Sequence, residues 1–300
     1  RMPEVNNCPC CGLTELVVAL RTQDQQDKVV TIFHCSNCCA LVPDYAPGQG
    51  GIISHQADFH ANYWSNSTKT DVIRESLAMN NTVNFYKNYL DYFGVESPVL
   101  DLGGGRGLLT KALLDCGYEA MGCDASAELV QIGRSHLDLP DHVYVNQDIA
   151  SFVESYRPSL AHQVGAIFLW HVIEHLEDPI ALLESLKALM KPDGIIIAQG
   201  PLLDKNYIFP EHRFLHSESN IGWIANQLGM KLLFLDSHSE ERFVSFVLSS
   251  TYQAAEISEL TSLQNHDVSF FLHRQVRLHR FQFLALFVSD RLASFLLATE

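Results

Sequence analysis

The chain has little positive charge. Its 300 residues include 20 Lys and Arg against 35 Asp and Glu, a formal net charge of −15 with histidine counted as neutral. Such a charge repels phosphate backbones, so the composition disfavours nucleic acid as a partner and favours a small molecule.

Long apolar runs are also missing from the sequence. The stretch from Phe281 to Val288 stops at Ser289, far short of the roughly 20 apolar residues that a membrane-spanning helix needs. Residues 1–6 form no apolar signal segment. We therefore expect no membrane partner and a cytoplasmic location.

The cysteines are clustered instead of being spread as a disulfide framework would spread them, because six of the eight lie in the first 39 residues. They form two C-x-x-C motifs at the spacing of structural zinc sites. We predict a structural Zn²⁺ bound by Cys8, Cys11, Cys35 and Cys38. A register that uses Cys10 or Cys39 stays open.

This metal is expected to replace a hydrophobic core that so short a segment is too small to form. Four thiolates leave no open coordination position, so the site is not catalytic. The segments 16–20 and 29–33 predict the two strands of a small ribbon. We expect a zinc ribbon with a turn-rich linker over 1–50, a central domain over 51–250 and a helical extension over 251–300.

The central domain begins with a helix at about 71–93 and then alternates strand and helix patterns. This alternation predicts an α/β fold with a doubly wound, mainly parallel sheet. Its predicted strands are 98–102, 119–123, 143–145, 164–170, 194–198, 231–236 and 242–248, with helices to about 116 and at 126–135, 178–190 and 218–228. Such sheets bind ligands beyond the carboxyl ends of their strands.

A glycine-rich turn follows the first strand of this domain, at Asp101-Leu102-Gly103-Gly104-Gly105-Arg106-Gly107. Leu108 stands where the nicotinamide-dinucleotide fingerprint requires glycine. The glycines let the backbone approach a ligand closely, and an acid at the turn favours a cationic group over a pyrophosphate.

Two further acids follow the next strands. Asp124 ends the second strand, where it is placed to accept hydrogen bonds from a ribose diol, and Asp148 follows the third, where it is placed to accept one from an exocyclic amine. Together with Asp101, Gly103 and Gly105, they resemble the motifs of class I S-adenosylmethionine-dependent methyltransferases over roughly residues 75–250.

This resemblance implies a Rossmann-like, seven-stranded fold and S-adenosyl-L-methionine as cofactor. It implies that Asp101 and its glycines bind the methionine part, Asp124 the ribose hydroxyls and Asp148 the adenine. Trp170, at the end of the fourth strand, is counted with the cofactor-binding residues.

The residues after the fourth strand, His171-Val172-Ile173-Glu174-His175, match the H-x-x-E-H pattern of a zinc peptidase. Their context argues against a peptidase, because the motif follows a buried strand and is stopped by Pro179 instead of lying inside a long helix. By resemblance, this stretch lies close to the transferable methyl group. The alternative is that His171 and His175 are core residues whose hydrogen bonds are satisfied within the fold.

The segment Phe209-Pro210-Glu211-His212 resembles the Tyr-x-Glu-His stretch of zinc-containing deoxysugar C-methyltransferases, which also begin with a four-cysteine module. Phe209 stands in the place of that tyrosine, so a phenol role does not carry over. The alternative is that Glu211 and His212 are loop residues that cap the next helix.

The sequence from Ala254 onward has a helical pattern. Its arginines Arg274, Arg277 and Arg280 lie on one face, either as a solvated surface or as a site for an anionic substrate group such as a diphosphate. The apolar run that follows would form either core cover or a seam between two copies of the chain.

We therefore expect methyl transfer to a small molecule, such as a sugar or another biosynthetic intermediate, with the O-, N- or C-acceptor undetermined. The candidate bases are His175, His212 and His171, in that order, with Glu211 orienting them. The alternatives are an RNA or tRNA methyltransferase and a non-catalytic protein that binds the cofactor.

Overall fold

A computed structural model describes residues 7–14, 16–24, 26–45, 69–73, 75–76, 87, 90–91, 93–238 and 242–251, all within one compact unit that spans Arg1–Thr251. The predicted C-terminal extension, with its arginines and apolar run, lies outside these residues, and the helix predicted at about 71–93 is described only in part. In the described ranges, no helix is long and apolar enough to cross a membrane.

Ten strands and five α-helices have both ends within the described residues, and residues 69–73 and 75–76 are also helical. The strands are β1 Leu16–Gln23, β2 Val29–Cys35, β3 Leu41–Pro43, β4 Val99–Leu102, β5 Ala120–Asp124, β6 Tyr144–Asn146, β7 Val164–Trp170, β8 Met190–Pro201, β9 Lys231–His238 and β10 Phe243–Ser249. The helices are α1 Leu108–Asp115, α2 Ala127–Leu137, α3 Ile149–Leu160, α4 Pro179–Lys187 and α5 Glu218–Gln227, with short 3₁₀ turns at Ile173–His175 and Lys205–Tyr207.

The larger sheet has seven strands in the order β6-β5-β4-β7-β8-β10-β9. β10 runs antiparallel to both β8 and β9, whereas the pairs from β6 to β8 are parallel. This topology confirms the predicted α/β fold with a doubly wound, mainly parallel sheet.

The strand order reverses between β4 and β7, which pair side by side in the middle of the sheet. The chain leaves these two neighbouring strands towards opposite sides of the sheet. A crevice therefore forms beyond their carboxyl ends. The strands themselves are buried among apolar side chains such as Leu100, Ile167, Phe168 and Ile196. The fold therefore brings the loops after β4, β5 and β7 to one edge of the sheet.

In the larger domain, two elements differ clearly from the sequence-based assignment. The helix α3 was not predicted, and it carries Pro158 two residues before its end, where the proline has no N–H to donate to the preceding turn. β8 extends beyond the predicted 194–198 at both ends, because Met190 pairs with β7 and Pro201 pairs with β10.

The smaller sheet contains β1, β2 and β3, and it contacts the larger domain through β3. The main chains of Leu41 and Leu215 exchange two hydrogen bonds, with N···O distances of 3.0 and 2.7 Å. The Ser217 hydroxyl also donates to the carbonyl of Cys39 at 2.8 Å. The start of the predicted linker is therefore a strand that anchors the cysteine-rich module.

Candidate functional site

Four cysteines of the N-terminal module converge on one point. The Sγ atoms of Cys8, Cys11, Cys35 and Cys38 all lie within 4.8 Å of one another. The Cys8–Cys38 and Cys11–Cys35 pairs are each separated by 3.5 Å, close to the roughly 3.8 Å between thiolates that share a tetrahedral zinc. This donor set is compatible with Zn²⁺.

The two remaining cysteines of the module lie outside this cluster. The Cys10 Sγ accepts a hydrogen bond from the Asn220 amide at 3.4 Å. Cys39 follows the second C-x-x-C motif as Gly12 follows the first. Both residues have left-handed backbone, with φ 60° at Cys39 and 73° at Gly12. The geometry thus favours the predicted register over one that uses Cys10 or Cys39.

The glycine-rich turn after β4 depends on left-handed backbone, with φ 72° at Gly103 and 58° at Gly105. A Cβ on Gly103 would lie 2.7 Å from Cγ2 of Val172. Since Val172 lies between His171 and Glu174, the predicted cofactor loop packs directly against the loop after β7.

Asp101 is buried at the end of β4, with a relative exposure of 1%. Its Oδ2 accepts hydrogen bonds from the amide and hydroxyl of Thr110, at 3.0 and 2.8 Å. Desolvation raises the pKa of Asp101 to about 6, although the bonds from Thr110 oppose this shift. A cation beside this carboxylate would stabilise its charged form.

Asp124 bridges the glycine turn and the start of α2. Its Oδ2 accepts from the amide of Gly105 at 2.9 Å, and its Oδ1 accepts from the amide of Ser126 at 2.8 Å. Burial raises its pKa, and these amides lower it. Each oxygen keeps a further lone pair, so the carboxylate can still accept from a diol.

Asp148 is an exposed residue that caps the N-terminus of α3. Its two oxygens accept from the amide and the hydroxyl of Ser151, at 2.9 and 2.7 Å. Burial tends to raise its pKa, but the bonds from Ser151 outweigh that effect, and the pKa falls below its ordinary value. Trp170 is half-buried at the end of β7 and packs against Phe168, with ring centroids 5.9 Å apart.

His171 has φ 52°, an unusual backbone conformation for a residue other than glycine. Its Nε2 lies 3.0 Å from Oε1 of Gln199, and the amide of Gln199 donates to the hydroxyl of Ser245 at 3.0 Å. This chain of hydrogen bonds fixes the imidazole against β8 and β10.

Glu174 lies at the centre of the candidate site, although the sequence analysis did not select it. Its side chain is 0% exposed, and in the described part of the chain neither carboxylate oxygen has a hydrogen-bond partner. Burial tends to raise the pKa of Glu174, but the neighbouring histidines lower it below its ordinary value. The carboxylate is therefore a buried anion.

His175 and His212 lie beside this carboxylate, with ring centroids 4.8 Å apart. The Nδ1 of His175 is 2.9 Å from the carbonyl oxygen of Glu211, and the Nδ1 of His212 is 2.7 Å from that of Tyr207. A carbonyl oxygen only accepts, so each Nδ1 donates and each Nε2 carries a lone pair in the neutral ring. Burial lowers the pKa of His212, which keeps that ring neutral.

The structure thus brings three predicted residues, His171, His175 and His212, around Glu174. Glu211 touches this group through its main-chain carbonyl, which orients His175. His216, which sequence reasoning also missed, is fully buried, and a Cβ on Gly200 would lie 2.6 Å from its Nε2 and 3.6 Å from Oε2 of Glu174. The pattern H-x-x-E-H was the one sequence signal that pointed to Glu174.

Comparison with known proteins identifies a methyltransferase domain in this chain. A family model described as "Methyltransferase domain" matches residues 77–234. A "Ubiquinone biosynthesis O-methyltransferase" of Actinobacillus pleuropneumoniae serotype 7 is 32% identical over 100 residues, which cover 33% of this chain and 43% of that protein. A protein of the same name from Xanthomonas campestris pv. campestris is 33% identical over 112 residues, covering 36% of this chain and 46% of that protein. The matched part spans less than half the length of these relatives.

Solved structures resemble the fold. One is a S-adenosylmethionine-dependent methyltransferase from Leishmania major, with a TM-score of 0.53, 12% identity and coverage of 78% of this chain and 97% of that one. Another is a complex between the Haloferax volcanii Trm112 methyltransferase activator and a methyltransferase, with a TM-score of 0.50, 16% identity and coverage of 64% of this chain and 98% of that one. At such identities, these structures support the fold alone.

Proposed function

The chain belongs to the methyltransferase-domain family, and we propose that it transfers a methyl group from S-adenosyl-L-methionine to an oxygen atom of a small molecule. The observation that carries this proposal is the packing of the Asp101–Gly107 turn against the loop that holds Glu174 and the histidines. One edge of the sheet thus offers both a cofactor cradle and groups that can activate an acceptor.

The residues present fit the cofactor. Asp101 suits the ammonium group of the methionine part, because a buried carboxylate is stabilised by a nearby cation. Asp124 suits the ribose diol, since each of its oxygens has a lone pair left for a hydroxyl donor. Asp148, exposed at the start of α3, can accept from the adenine amine, and Trp170 supplies an apolar wall.

When bound, the sulfonium supplies the electrophilic methyl group, so the task of the chain is alignment of the acceptor and removal of its proton. The Nε2 lone pairs of His175 and His212 are available for that purpose, because both Nδ1 atoms donate to carbonyls. His171 is held against Gln199 and is placed to position the acceptor.

We further propose that Cys8, Cys11, Cys35 and Cys38 bind one structural Zn²⁺, which the convergence of their sulfurs supports. The module would form a zinc ribbon over 1–50 that packs on a cofactor-binding domain over 51–250. The resemblance to deoxysugar C-methyltransferases remains a prediction, as do the cytoplasmic location and any role of the 251–300 extension.

The oxygen acceptor is favoured because the relatives matched over about 100 residues are named O-methyltransferases. An RNA acceptor is the second candidate class, and the net charge of −15 argues against it. A non-catalytic cofactor-binding protein would bind the cofactor and methylate nothing.

The decisive experiment incubates the purified chain with methyl-labelled S-adenosyl-L-methionine and a metabolite extract, followed by untargeted mass spectrometry. Label in a small molecule, at an oxygen atom, supports the proposal. Label in RNA that is lost at higher salt would favour the second class. Tight cofactor binding with no labelled product in any fraction would indicate a binding protein.

A further inference from the structure

Glu174 is a buried carboxylate without the hydrogen bonds that such a group needs. Ionised side chains removed from water are normally paired or bound to metals, because an isolated buried charge is strongly unfavourable. Among the described residues, no N–H or O–H group donates to either of its oxygens, and the nearest basic atoms are Nδ1 of His171 at 3.4 Å and Nε2 of His212 at 3.8 Å. Both distances exceed those of charge-assisted hydrogen bonds, so the site favours a cation that binds the carboxylate directly.

The two adjacent imidazoles are arranged as metal ligands usually are. A ligating histidine binds the cation through one nitrogen and donates its other N–H to a carbonyl or carboxylate. His175 donates to the carbonyl of Glu211, and His212 donates to that of Tyr207. Both second nitrogens therefore have lone pairs in a site that is largely removed from solvent.

We propose that Glu174, His175 and His212 bind one divalent transition-metal cation, separate from the four-cysteine centre. One carboxylate oxygen and two imidazole nitrogens lie within 4.8 Å of one another. Bonds of about 2.0–2.2 Å would require these atoms to lie no more than about 4.4 Å apart, so small side-chain rotations complete the site. Two nitrogens and one oxygen suit Mn²⁺, Fe²⁺, Co²⁺ or Zn²⁺ better than Mg²⁺, which prefers oxygen ligands.

Three protein ligands leave coordination positions open, as in catalytic metal sites. The role of the cation in catalysis rests on the proposed methyl transfer, whereas its binding does not. An acceptor hydroxyl that coordinates the cation loses its proton to water, because the positive charge stabilises the alkoxide or phenolate. The oxygen then bonds to the methyl carbon as the carbon–sulfur bond breaks, and the electron pair stays on sulfur.

This assignment explains why two histidines converge on one carboxylate. It also accounts for the positive φ of His171. The turn after His171 places Glu174 inside the protein, while the His171 imidazole is hydrogen-bonded to Gln199. The competing explanation is that a protonated His171 alone balances Glu174, with no metal.

The test is Mn²⁺ binding to the zinc-loaded protein, measured by electron paramagnetic resonance. Mn²⁺ competes poorly for thiolates, so it reports on the second site without displacing zinc from the cysteines. We expect about one Mn²⁺ per chain in addition to the zinc, with no comparable binding of Mg²⁺.

Glu174→Gln and His175→Gln should each weaken Mn²⁺ binding at least about tenfold. Glu211→Gln is the matched control, because that residue contributes its main-chain carbonyl, and it should bind Mn²⁺ as the parent does. Mn²⁺ should raise the melting temperature of the parent but not of Glu174→Gln.

The absence of any Mn²⁺, Co²⁺ or additional Zn²⁺ binding would overturn the proposal, as would full binding by Glu174→Gln. Calorimetry with S-adenosyl-L-methionine is run on the same samples. Cofactor binding without metal binding refutes only this inference, whereas metal binding without methyl transfer to any acceptor refutes the proposed function and leaves the metal site intact.

Discussion

Asn220 donates a hydrogen bond to the main-chain carbonyl of Cys38 at 3.0 Å, across 182 positions of sequence. The other end of the same amide, Oδ1, lies 3.0 Å from Nδ1 of His216. His216 in turn lies beside Glu174. The buried side chain of Asn220 therefore joins the second C-x-x-C motif to the wall of the candidate active site. The N-terminal module therefore supports the site mechanically, although it contributes no reacting group.

The first prediction concerns this amide. Asn220→Ala should lower the free energy of unfolding by about 1–3 kcal/mol, because it leaves a buried carbonyl and an imidazole without their partner. The zinc content should not change, since no ligand is lost. Chemical denaturation and metal analysis test both points. Asn226→Ala, exposed on the same helix, is the control, and equal stability of the two variants would contradict the prediction.

The second prediction concerns the cysteines. Cys8→Ser and Cys35→Ser should each lose the bound zinc and much of the stability of the N-terminal sheet, because metal binding and folding of such a module are coupled. Cys10→Ser should keep the zinc, since Cys10 faces Asn220. Cys39→Gly should also keep it, because glycine suits φ 60°. Metal analysis of the four proteins decides, and full zinc in both ligand variants would refute the assignment.

The positions of the residues in the proposed cofactor cradle were readable from the sequence because their signals are local. Asp101 is the last but one residue of β4 and Asp124 the last of β5, and the positive φ of Gly103, Gly105 and Gly107 favours glycine. Asp148 was likewise placed correctly at a strand end, but its role as the cap of α3 escaped notice because that helix was not predicted.

The histidine site was only partly predictable, because it depends on contacts between distant segments. Glu174 and His212 are 38 positions apart, and only the fold places them 3.8 Å from each other. Glu211 was chosen because Glu211-His212 resembles part of the Tyr-x-Glu-His stretch of deoxysugar C-methyltransferases, whereas its described hydrogen bond with His175 is made by the main-chain carbonyl. Main-chain direction in a loop is not encoded by residue type, so the sequence did not reveal which group of Glu211 contacts His175.

The third prediction concerns Asp124. Asp124→Ala should weaken the binding of S-adenosyl-L-methionine at least about tenfold, because it removes charge-assisted hydrogen bonds worth about 1.5–3 kcal/mol. It also frees the amide of Gly105, which loosens the turn. Calorimetry measures the affinity, with the exposed Asp193→Ala as control. Unchanged affinity, or tight binding of a nicotinamide dinucleotide to the parent, would refute this pocket.

The fourth prediction concerns Asp101, whose pKa is about 6 in the folded chain against an ordinary 3.8. Between these values the folded protein holds a proton that the unfolded chain has lost, so stability from this group falls as pH rises through this window. Asp101→Asn lacks that penalty, and at pH 8 without cofactor it should be more stable by about 1–3 kcal/mol. Its affinity for S-adenosyl-L-methionine should fall, and denaturation and calorimetry test these opposite effects. A less stable variant with parental affinity would contradict both.

The last prediction concerns acceptor activation. His175→Gln should lower kcat by roughly a hundredfold while the affinity for S-adenosyl-L-methionine barely changes, because the residue faces Glu174 and His212. The same outcome is expected whether Nε2 removes the acceptor proton itself or binds a cation that lowers the acceptor pKa. The two mechanisms separate when Mn²⁺ is added, since only the second gives a parent rate that depends on the metal.

The control for this experiment is His142→Ala, an exposed histidine whose loss should leave kcat unchanged. Steady-state kinetics with the acceptor found by mass spectrometry supply kcat, and calorimetry supplies the cofactor affinity. A neutral amine acceptor would behave differently, because it attacks with its own lone pair and sheds its proton afterwards. Parental turnover by both His175→Gln and His212→Gln would therefore show that these histidines pack or bind, and that catalysis is alignment of the acceptor alone.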